Sequence, residues 1–373
     1  MTIIVDILRQ NDEHNVFNSK AITALLSTST ITEVWLTKNS TCNVLLDREI
    51  NVKKRNVRSF GSKFYYWFIS SFITVYILFR AYFRKESVLF LSATPLHYYI
   101  ISKFLLILNL NIYIIMHGEL SYLNHPIGLG QKIGGWCINK SFLSYKVKKL
   151  TYIALGFPIY SLLLEIYPSL AGHITIVEHP LDDITFSKKN DKKLCFGSFG
   201  IHSKDKNSEK IYDLALCIDE NIIKSIDIIT VGISDGYFKY GRSDNILHYC
   251  AGVFGKNFIP REEFVMNVNK IDFALFFYNG DTQYALVPSG IFYDCISFNI
   301  PIISLKNRIF QAYFEKYGPM GKLCNNLDEM ADFIKLLYLE REKCEEYFDN
   351  MKSARDDMSF NNFRDNLLRI IQS

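Results

Sequence analysis

Short apolar, β-branched runs alternate with stretches of helical periodicity along almost the whole chain. In the first half, strands are expected at residues 2–8, 32–37, 87–93, 111–116, 150–155 and 174–177. Helices are expected at 18–27, at 95–108, in the later part of a glycine-started stretch at 128–145, and around 160–166. Most of the strand segments are nearly continuous apolar runs rather than strict alternations. That is the mark of a parallel sheet covered by helices on both faces.

The stretch 178–191, EHPLDDITFSKKND, breaks the pattern: it is polar, holds Pro180 and ends in a Lys/Asn/Asp cluster. Such a composition fits a boundary, placed between residues 180 and 181. The alternation then restarts with strands at 193–198, 225–231 and 272–277, a strand-like piece at 256–259 and a strand at 302–304. Helices at 208–219, at 261–268 and after residue 289, and a long helical tail from 327, accompany them. The expected fold class is α/β, with two Rossmann-like domains, 1–180 and 181–373, facing across a cleft. In such sheets ligands bind beyond the carboxyl ends of the strands.

One segment stands apart. Residues 64–79, FYYWFISSFITVYILF, carry no charge and are flanked by Lys63 on one side and Arg80, Arg84 and Lys85 on the other. Sixteen residues fall short of the roughly 20 needed to cross a bilayer. Aromatic content and cationic flanks suit a membrane surface, and a buried helix of the first domain is the alternative. Both readings hold if one face packs and the other meets lipid.

Composition narrows the function classes. The chain has 23 tyrosines and 29 phenylalanines, 49% hydrophobic residues, and a formal net charge of only +4 without a long basic run. That describes a globular, aromatic-rich protein and gives no support to nucleic acid as a partner. The eight cysteines are scattered singly, as expected of thiols in a reducing compartment, and the short apolar start is a strand rather than a signal peptide. A cytoplasmic location is expected.

Candidate chemistry lies at the carboxyl ends of strands. The loop GSFGIHSKDKNSEK, 197–210, offers Gly200 for close backbone approach and Lys204 and Lys206 to balance a diphosphate. The stretch VPSGIFYDCISFNIPIISL, 287–305, reads as a turn, Pro288-Ser289-Gly290, opening a helix whose free N–H groups suit a phosphate. Asp294, one turn further in, is placed for a sugar hydroxyl pair. In the first half, the strand NIYIIM runs into His117-Gly118-Glu119. His117 is positioned to contact a reacting oxygen, and Glu119 is either its acid/base partner or a charge at the next helix start. His14, in the loop after the first strand, is a candidate for acceptor hydroxyls, and His179 is a weaker one near the boundary.

Other chemistries lack their residues. Gly232-Ile233-Ser234-Asp235-Gly236 spells G-x-S-x-G, but the polar YFKYGRSDN that follows is no buried helix, which argues against a nucleophile elbow. No H-E-x-x-H, P-loop or dinucleotide fingerprint occurs. No D-x-D pair is present either, so no metal site is assigned and a metal-independent transferase fits better.

Taken together, these motifs resemble a bacterial glycosyltransferase of the two-domain GT-B type, nearest the large retaining group called family 4. In that family a glycine-started loop ending in Lys-Asn meets the donor diphosphate, similar to Gly200 through Lys206-Asn207 here. A Ser/Gly turn, a carboxylate-bearing helix and an Asn-x-Pro-Ile-Ile strand follow, as in PSGIFYDCISFNIPIIS, and the strand-His-Gly stretch at His117 looks like the family's cleft histidine. The resemblance implies a nucleotide diphosphate sugar as donor, with no further cofactor, and residues 288–290 and Asp294 holding it. It also implies a saccharide acceptor, lipid-linked in surface-polysaccharide assembly such as that of lipopolysaccharide or O-antigen, with peripheral membrane contact through 64–79. The chain departs from the family at three points. Asp294 stands for the usual second glutamate, Leu286 for the first, and Ile201 or Ser198 for the arginine of the phosphate loop. Retaining and inverting outcomes therefore both stay open, with His14 or Glu119 as the base in the second. A sugar-nucleotide epimerase and an inactive binding subunit are the rival readings.

Overall fold

The computed structural model describes the chain except residues 10–13, 28–30, 43–50, 56–62, 145–148, 182–192, 258, 279–282, 341–343 and 373. Most of the polar boundary stretch, part of the loop before His14, and position 258 of the strand-like piece thus lie outside the described residues. Contacts divide the chain into two units. The first is Met1–Pro180 with Ala285–Pro288 and Met358–Ser373, and the second is Leu181–Tyr284 with Ser289–Asp357.

The first unit follows the order β1 (Thr2–Asp6), α1 (Asn15–Leu26), β2 (Ile31–Thr37), β3 (Asn51–Arg55), α2 (Lys63–Arg84), β4 (Ser87–Phe90), α3 (Pro95–Phe104), β5 (Ile112–Ile115), α4 (Gly128–Phe142), β6 (Leu150–Leu155), α5 (Phe157–Ile166) and β7 (Ile174–Val177). Its described strands are all parallel, in the order β3-β2-β1-β4-β5-β6-β7. The second unit comprises β8 (Cys195–His202), α6 (Lys210–Cys217), α7 (Glu220–Ile223), β9 (Asp227–Ser234), β10 (Ile246–Tyr249), α8 (Arg261–Val268), β11 (Phe273–Phe276), α9 (Gly290–Phe298), β12 (Ile302–Leu305), α10 (Arg308–Tyr317), β13 (Gly321–Cys324), α11 (Leu327–Leu339) and α12 (Glu345–Asp357). Its parallel sheet runs β10-β9-β8-β11-β12-β13. A last helix, α13 (Phe360–Gln372), ends the chain.

Alternation along each strand divides the first sheet into two cores. Ile3, Val5, Val88, Phe90, Ile112 and Ile114 pack with α2 to α5, whereas Ile4, Leu89, Leu91, Tyr113, Ile115 and Ile153 pack with α1 and α13. Here the structure corrects the expectation for the tail. α12 remains with the second unit, but α13 lays Phe363 and Leu367 beside α1, because that face of the first sheet would otherwise be bare. The strand-like piece at 256–259 is also not a strand in its described positions; the edge strand is β10, ten residues earlier.

The aromatic segment forms a longer helix than expected, 22 residues, with hydroxyls and apolar side chains inward and most of its aromatic rings outward. Ser70, Ser71 and Thr74 are buried alongside Trp67, Ile77, Leu78 and Ala81, while Tyr65, Phe68, Phe72, Tyr76, Phe79, Tyr82 and Phe83 are 40–77% exposed. The inward hydroxyls are satisfied. Ser70 and Ser71 donate to the Trp67 carbonyl at 3.0 and 2.7 Å. The His97 ring, its Nδ1 accepting from the Thr94 N–H, turns Nε2 toward Ser70 at 3.0 Å. Buried serines at this position therefore do not leave orphan polar groups.

The far end of α2 is held to the sheet by charge. Glu33 on β2 is buried and meets Arg80, with Nε–Oε2 at 3.0 Å, Arg84 at 2.6 Å, Lys53 at 3.2 Å and the Trp35 indole N–H at 3.0 Å. Burial alone would raise its pKa, but these donors together bring it down from 4.5 to about 2. Because the folded value is depressed, the stabilisation is complete above pH 4.5 and is lost as pH falls through about 2. Glu33→Gln should therefore destabilise the protein by about 2 kcal/mol at neutral pH, less than for a fully buried pair because the arginines are partly exposed. Urea denaturation of both proteins from pH 7 downward should show the gap closing at acid pH; a gap that stays constant would remove the ionic account.

Candidate functional sites in the two units

In the first unit, the ends of β1, β4 and β5 meet at the point where the strand order reverses, which is where such sheets bind ligands. Asp6 closes β1 and is buried. Its carboxylate accepts from the Ser92 hydroxyl at 2.5 Å, from the Asn18 amide and from the Leu8 and Arg9 N–H groups. Burial is the largest influence and raises its pKa, against the pull of those donors.

His117 follows β5 and is buried, with Nε2 2.8 Å from the Leu91 carbonyl. A carbonyl only accepts, so Nε2 carries the hydrogen and Nδ1 is left as an acceptor. Burial, with the charges of His14 and Arg9, drives its pKa well below 6.5, so the ring is neutral at ordinary pH. The His14 ring and the Phe17 ring each stand edge-on to it at 4.9 Å, and the His179 ring lies 5.2 Å from Phe17. The structure thus places two histidines, His117 and His179, against Phe17, with His14 against His117. His14 is the exposed one, sitting in the left-handed region ahead of α1.

Glu119 is engaged from both sides. The Tyr98 hydroxyl donates to Oε1 at 2.6 Å and the His117 N–H donates to the same oxygen at 3.0 Å. Burial raises its carboxyl above 4.5 against those bonds. In this arrangement Glu119 fixes the backbone that carries His117. Asp6, Ser92 and Tyr98 were not singled out from the sequence, although a carboxylate ending a continuous apolar strand was a signal that Asp6 deserved a place.

In the second unit, two expected phosphate-friendly pieces come together through a glycine. Gly200, in β8 with φ of 92°, has no room for a Cβ: one would lie 2.7 Å from the Ile291 side chain, and its partner across the ladder, Gly232, would strike the Gly200 carbonyl at 2.0 Å. The missing side chain therefore admits Ile291 and brings the start of α9 against the end of β8. A crevice of about 10 Å³, space for roughly one water, is lined by Ser198, Ile201, Lys206, Ser208, Tyr278 and Ile291 among others.

Ser289 caps α9, accepting from the Phe292 N–H and from the Tyr278 hydroxyl at 3.1 Å. Among the described residues, the Gly290 and Ile291 N–H groups meet no acceptor, and nothing lies within 4 Å of where a Gly290 Cβ would be. Those groups and the helix dipole favour an anion there. Pro288 ends the short stretch assigned to the first unit, in which Leu286 is buried in the first core. Asp294, four residues after Gly290 and on the same helix face, is half-buried and pairs with Arg261 at 3.2 Å.

The loop after β8 is a bonded turn rather than a solvated one. Ser203 and Ser208 are buried and linked, with the Ser203 N–H donating to the Ser208 hydroxyl at 3.0 Å, and the Lys206 N–H donates to Ser203 at 3.3 Å. Lys206 then folds inward, Nζ donating to the Ile201 carbonyl at 3.1 Å, and burial lowers its pKa from 10.5 to about 8 against the pull of Asp235. Lys204 behaves differently. It is exposed, its ammonium stands 5.3 Å over the Tyr237 ring, and it does not line the crevice. Ser234 of the G-x-S-x-G spelling is buried and donates to the Phe238 carbonyl at 2.7 Å, so it is occupied as a turn residue.

No protein-family model matches the sequence, and no curated protein matches it either. Solved structures do. The chain is similar to HepE of Anabaena, solved with UDP-glucose, at 10% identity and a TM-score of 0.65 over 100% of this chain and 99% of that one. It is similar to WaaG, a glycosyltransferase involved in lipopolysaccharide biosynthesis, at 9% identity and a TM-score of 0.64 over 99% of each chain. It is also similar to the apo form of WaaB, a lipopolysaccharide outer core galactosyltransferase, at 13% identity and a TM-score of 0.60 over 99% of each chain. At these identities the likeness establishes the fold, which is the GT-B fold of two Rossmann-like domains that the sequence led us to expect.

The two polar clusters of the first unit should respond differently to substitution. Tyr98→Phe removes a donor from a buried carboxyl and should lower stability by about 1–2 kcal/mol. His14→Ala, at an exposed ring, should stay within about 0.5 kcal/mol of the parent. Urea denaturation at neutral pH reads both, and equal effects would show that Glu119 does not depend on Tyr98.

Proposed function

We propose that this protein transfers a sugar from a nucleotide diphosphate sugar to a saccharide acceptor. The observation that carries the reading is the crevice of the second unit, lined by Lys206 and Ile291, at the start of α9 where the Gly290 and Ile291 N–H groups meet no acceptor among the described residues. A leaving diphosphate develops negative charge as the glycosidic bond breaks, and a pre-placed ammonium and helix N-terminus stabilise it without reorganisation. Asp294 is read as the ribose contact on the next turn, with Arg261 setting its orientation. The first unit is read as the acceptor side, through Asp6, His14 and His117 near the ends of β1 and β5. A metal-independent reaction is the reading taken from the sequence, which holds no D-x-D pair. The solved neighbours that bind UDP-glucose or act in lipopolysaccharide biosynthesis share the fold and support this choice. Within that fold, the order of the motifs is read as resembling family 4, with retaining and inverting outcomes both open.

The acceptor is read as lipid-linked, in bacterial surface-polysaccharide assembly, with the enzyme working on the cytoplasmic face of a membrane. A thermal-shift screen against UDP, GDP, CMP and dTDP sugars, followed by product analysis with and without saccharide acceptor, tests the transferase reading. Conversion of the donor sugar without acceptor would favour an epimerase, and no stabilisation by any of them would favour a non-catalytic role.

Lys206 adds a pH signature. Its charged form prevails below about 8, so donor affinity should hold to that pH and fall above it as the ammonium loses its proton. Lys206→Ala should weaken donor binding about tenfold or more at pH 7, and Lys206→Arg should abolish the fall above pH 8. Calorimetric titration with the stabilising nucleotide across this range checks it; an unaltered affinity in Lys206→Ala would remove Lys206 from the donor site.

A further inference from the structure

The outward face of α2 does not end with α2. An apolar groove of about 430 Å³, lined by Tyr65, Trp67, Phe68, Leu96, Ile133 and Cys137, joins it to α3 and α4. On the α4 side the surface continues through Ile127, Leu129 and Trp136, which are 50–75% exposed. At the other end the Phe79 ring meets Phe104 at 5.7 Å, and the turn after α3 presents Leu106 and Ile107, the latter 84% exposed. One contiguous aromatic and aliphatic face thus runs over three helices of the first unit. Isolated exposed apolar residues are ordinary, but a face of this extent marks an interaction surface.

Charge identifies the partner. Residues 63–143 contain seven Lys/Arg and only two Asp/Glu, a balance of +5 within a chain whose total is +4. Both carboxylates, Glu86 and Glu119, are buried, whereas Arg84, Lys85, Lys103, Lys132 and Lys140 are exposed. Arg84 is bound to Glu33 and Glu86, and the remaining exposed cations, Lys85, Lys103, Lys132 and Lys140, have no exposed carboxylate of this segment to offset them. Exposed rings framed by lysine and arginine are the chemistry of an anionic bilayer surface, where rings enter the headgroup region and cations meet phosphate.

We propose that the first unit docks on an anionic lipid bilayer through this face, with α2 lying in the plane of the interface. α2 is long and apolar enough to cross a membrane by length and composition. Its inward side, however, is committed to α3, β4 and Glu33, so only its outward half is available to lipid. The face deepens the reading of a lipid-linked acceptor, yet it stands on exposure and charge alone. The test contains neither donor nor acceptor, so either idea can fail without the other.

The full chain is mixed with vesicles of phosphatidylcholine, or of equal parts phosphatidylcholine and phosphatidylglycerol, and floated on a density gradient. The expected result is flotation with the anionic vesicles, weakened by salt, and little with the neutral ones. Phe68→Ser/Phe72→Ser/Phe83→Ser and, separately, Lys85→Glu/Lys103→Glu/Lys132→Glu should each lower the bound fraction about tenfold or more. All these side chains are exposed, and circular dichroism melting confirms that each variant is folded. Failure of the parent protein to float would overturn the proposal, as would equal binding to neutral vesicles or full binding by the folded serine variant. A stable dimer in sedimentation, dissociated by the serine substitutions and indifferent to vesicles, would assign the face to a second copy instead.

Discussion

A parallel sheet presents apolar side chains on both faces, and neither face is stable until helices cover it. Most of the architecture of the first unit follows from that constraint. Four helices between strands cover one side, but the other receives only α1 from the consecutive chain, so α13 must return from the far end to close it. The Tyr113 hydroxyl on β5 reaches the Ile371 carbonyl of α13 at 3.4 Å, a contact spanning most of the sequence. This double cover backs the carboxyl ends of β1, β4 and β5, near which Asp6, His117 and Glu119 make their hydrogen bonds.

The central strands were legible because burial on both faces leaves a period-independent apolar run. The edges were not. β3 reads Asn-Val-Lys-Lys-Arg and is mostly exposed; its place is set by tertiary partners, Lys53 meeting Glu33 and Arg55 lying 4.8 Å over the Trp35 ring. β10, ILHY, and β13, GKLC, are edge strands paired on one side only, and neither is a continuous apolar run. Helix α13 was legible as a helix but not in its destination, since amphipathicity reveals an apolar face and not which sheet it covers.

The same division runs through the candidate sites. A glycine-started loop, a Pro-Ser-Gly turn and a strand-end histidine could be read from residue type and position. What each side chain does was decided by its neighbours. Lys204 and Lys206 are two residues apart and equivalent in sequence, yet one rests on Tyr237 and the other turns inward to the Ile201 carbonyl. Glu119, read as an acid/base partner or a charge at the next helix start, is bonded to the Tyr98 hydroxyl and the His117 N–H. Gly200 looked like room for a ligand, and the room is taken by Ile291, which brings the start of α9 against the end of β8.

Helix α2 shows how little of an amphipathic pattern is settled by hydrophobicity alone. Seven exposed aromatic side chains forgo stabilisation that burial would supply at about 1.5–3 kcal/mol each, while three hydroxyls occupy the interior. The inversion is tolerable only because each inward hydroxyl has a partner, and the Glu33 clamp holds the helix where rotation would bring the rings inward and strand the serines and Thr74 at the surface. Rotation would also pull Arg80 and Arg84 from a buried carboxylate, leaving it uncompensated, which is strongly unfavourable. The polar interior thus fixes the aromatic exterior: once Ser70, Thr74, His97 and Glu33 are paired, the rings have no alternative but to face outward.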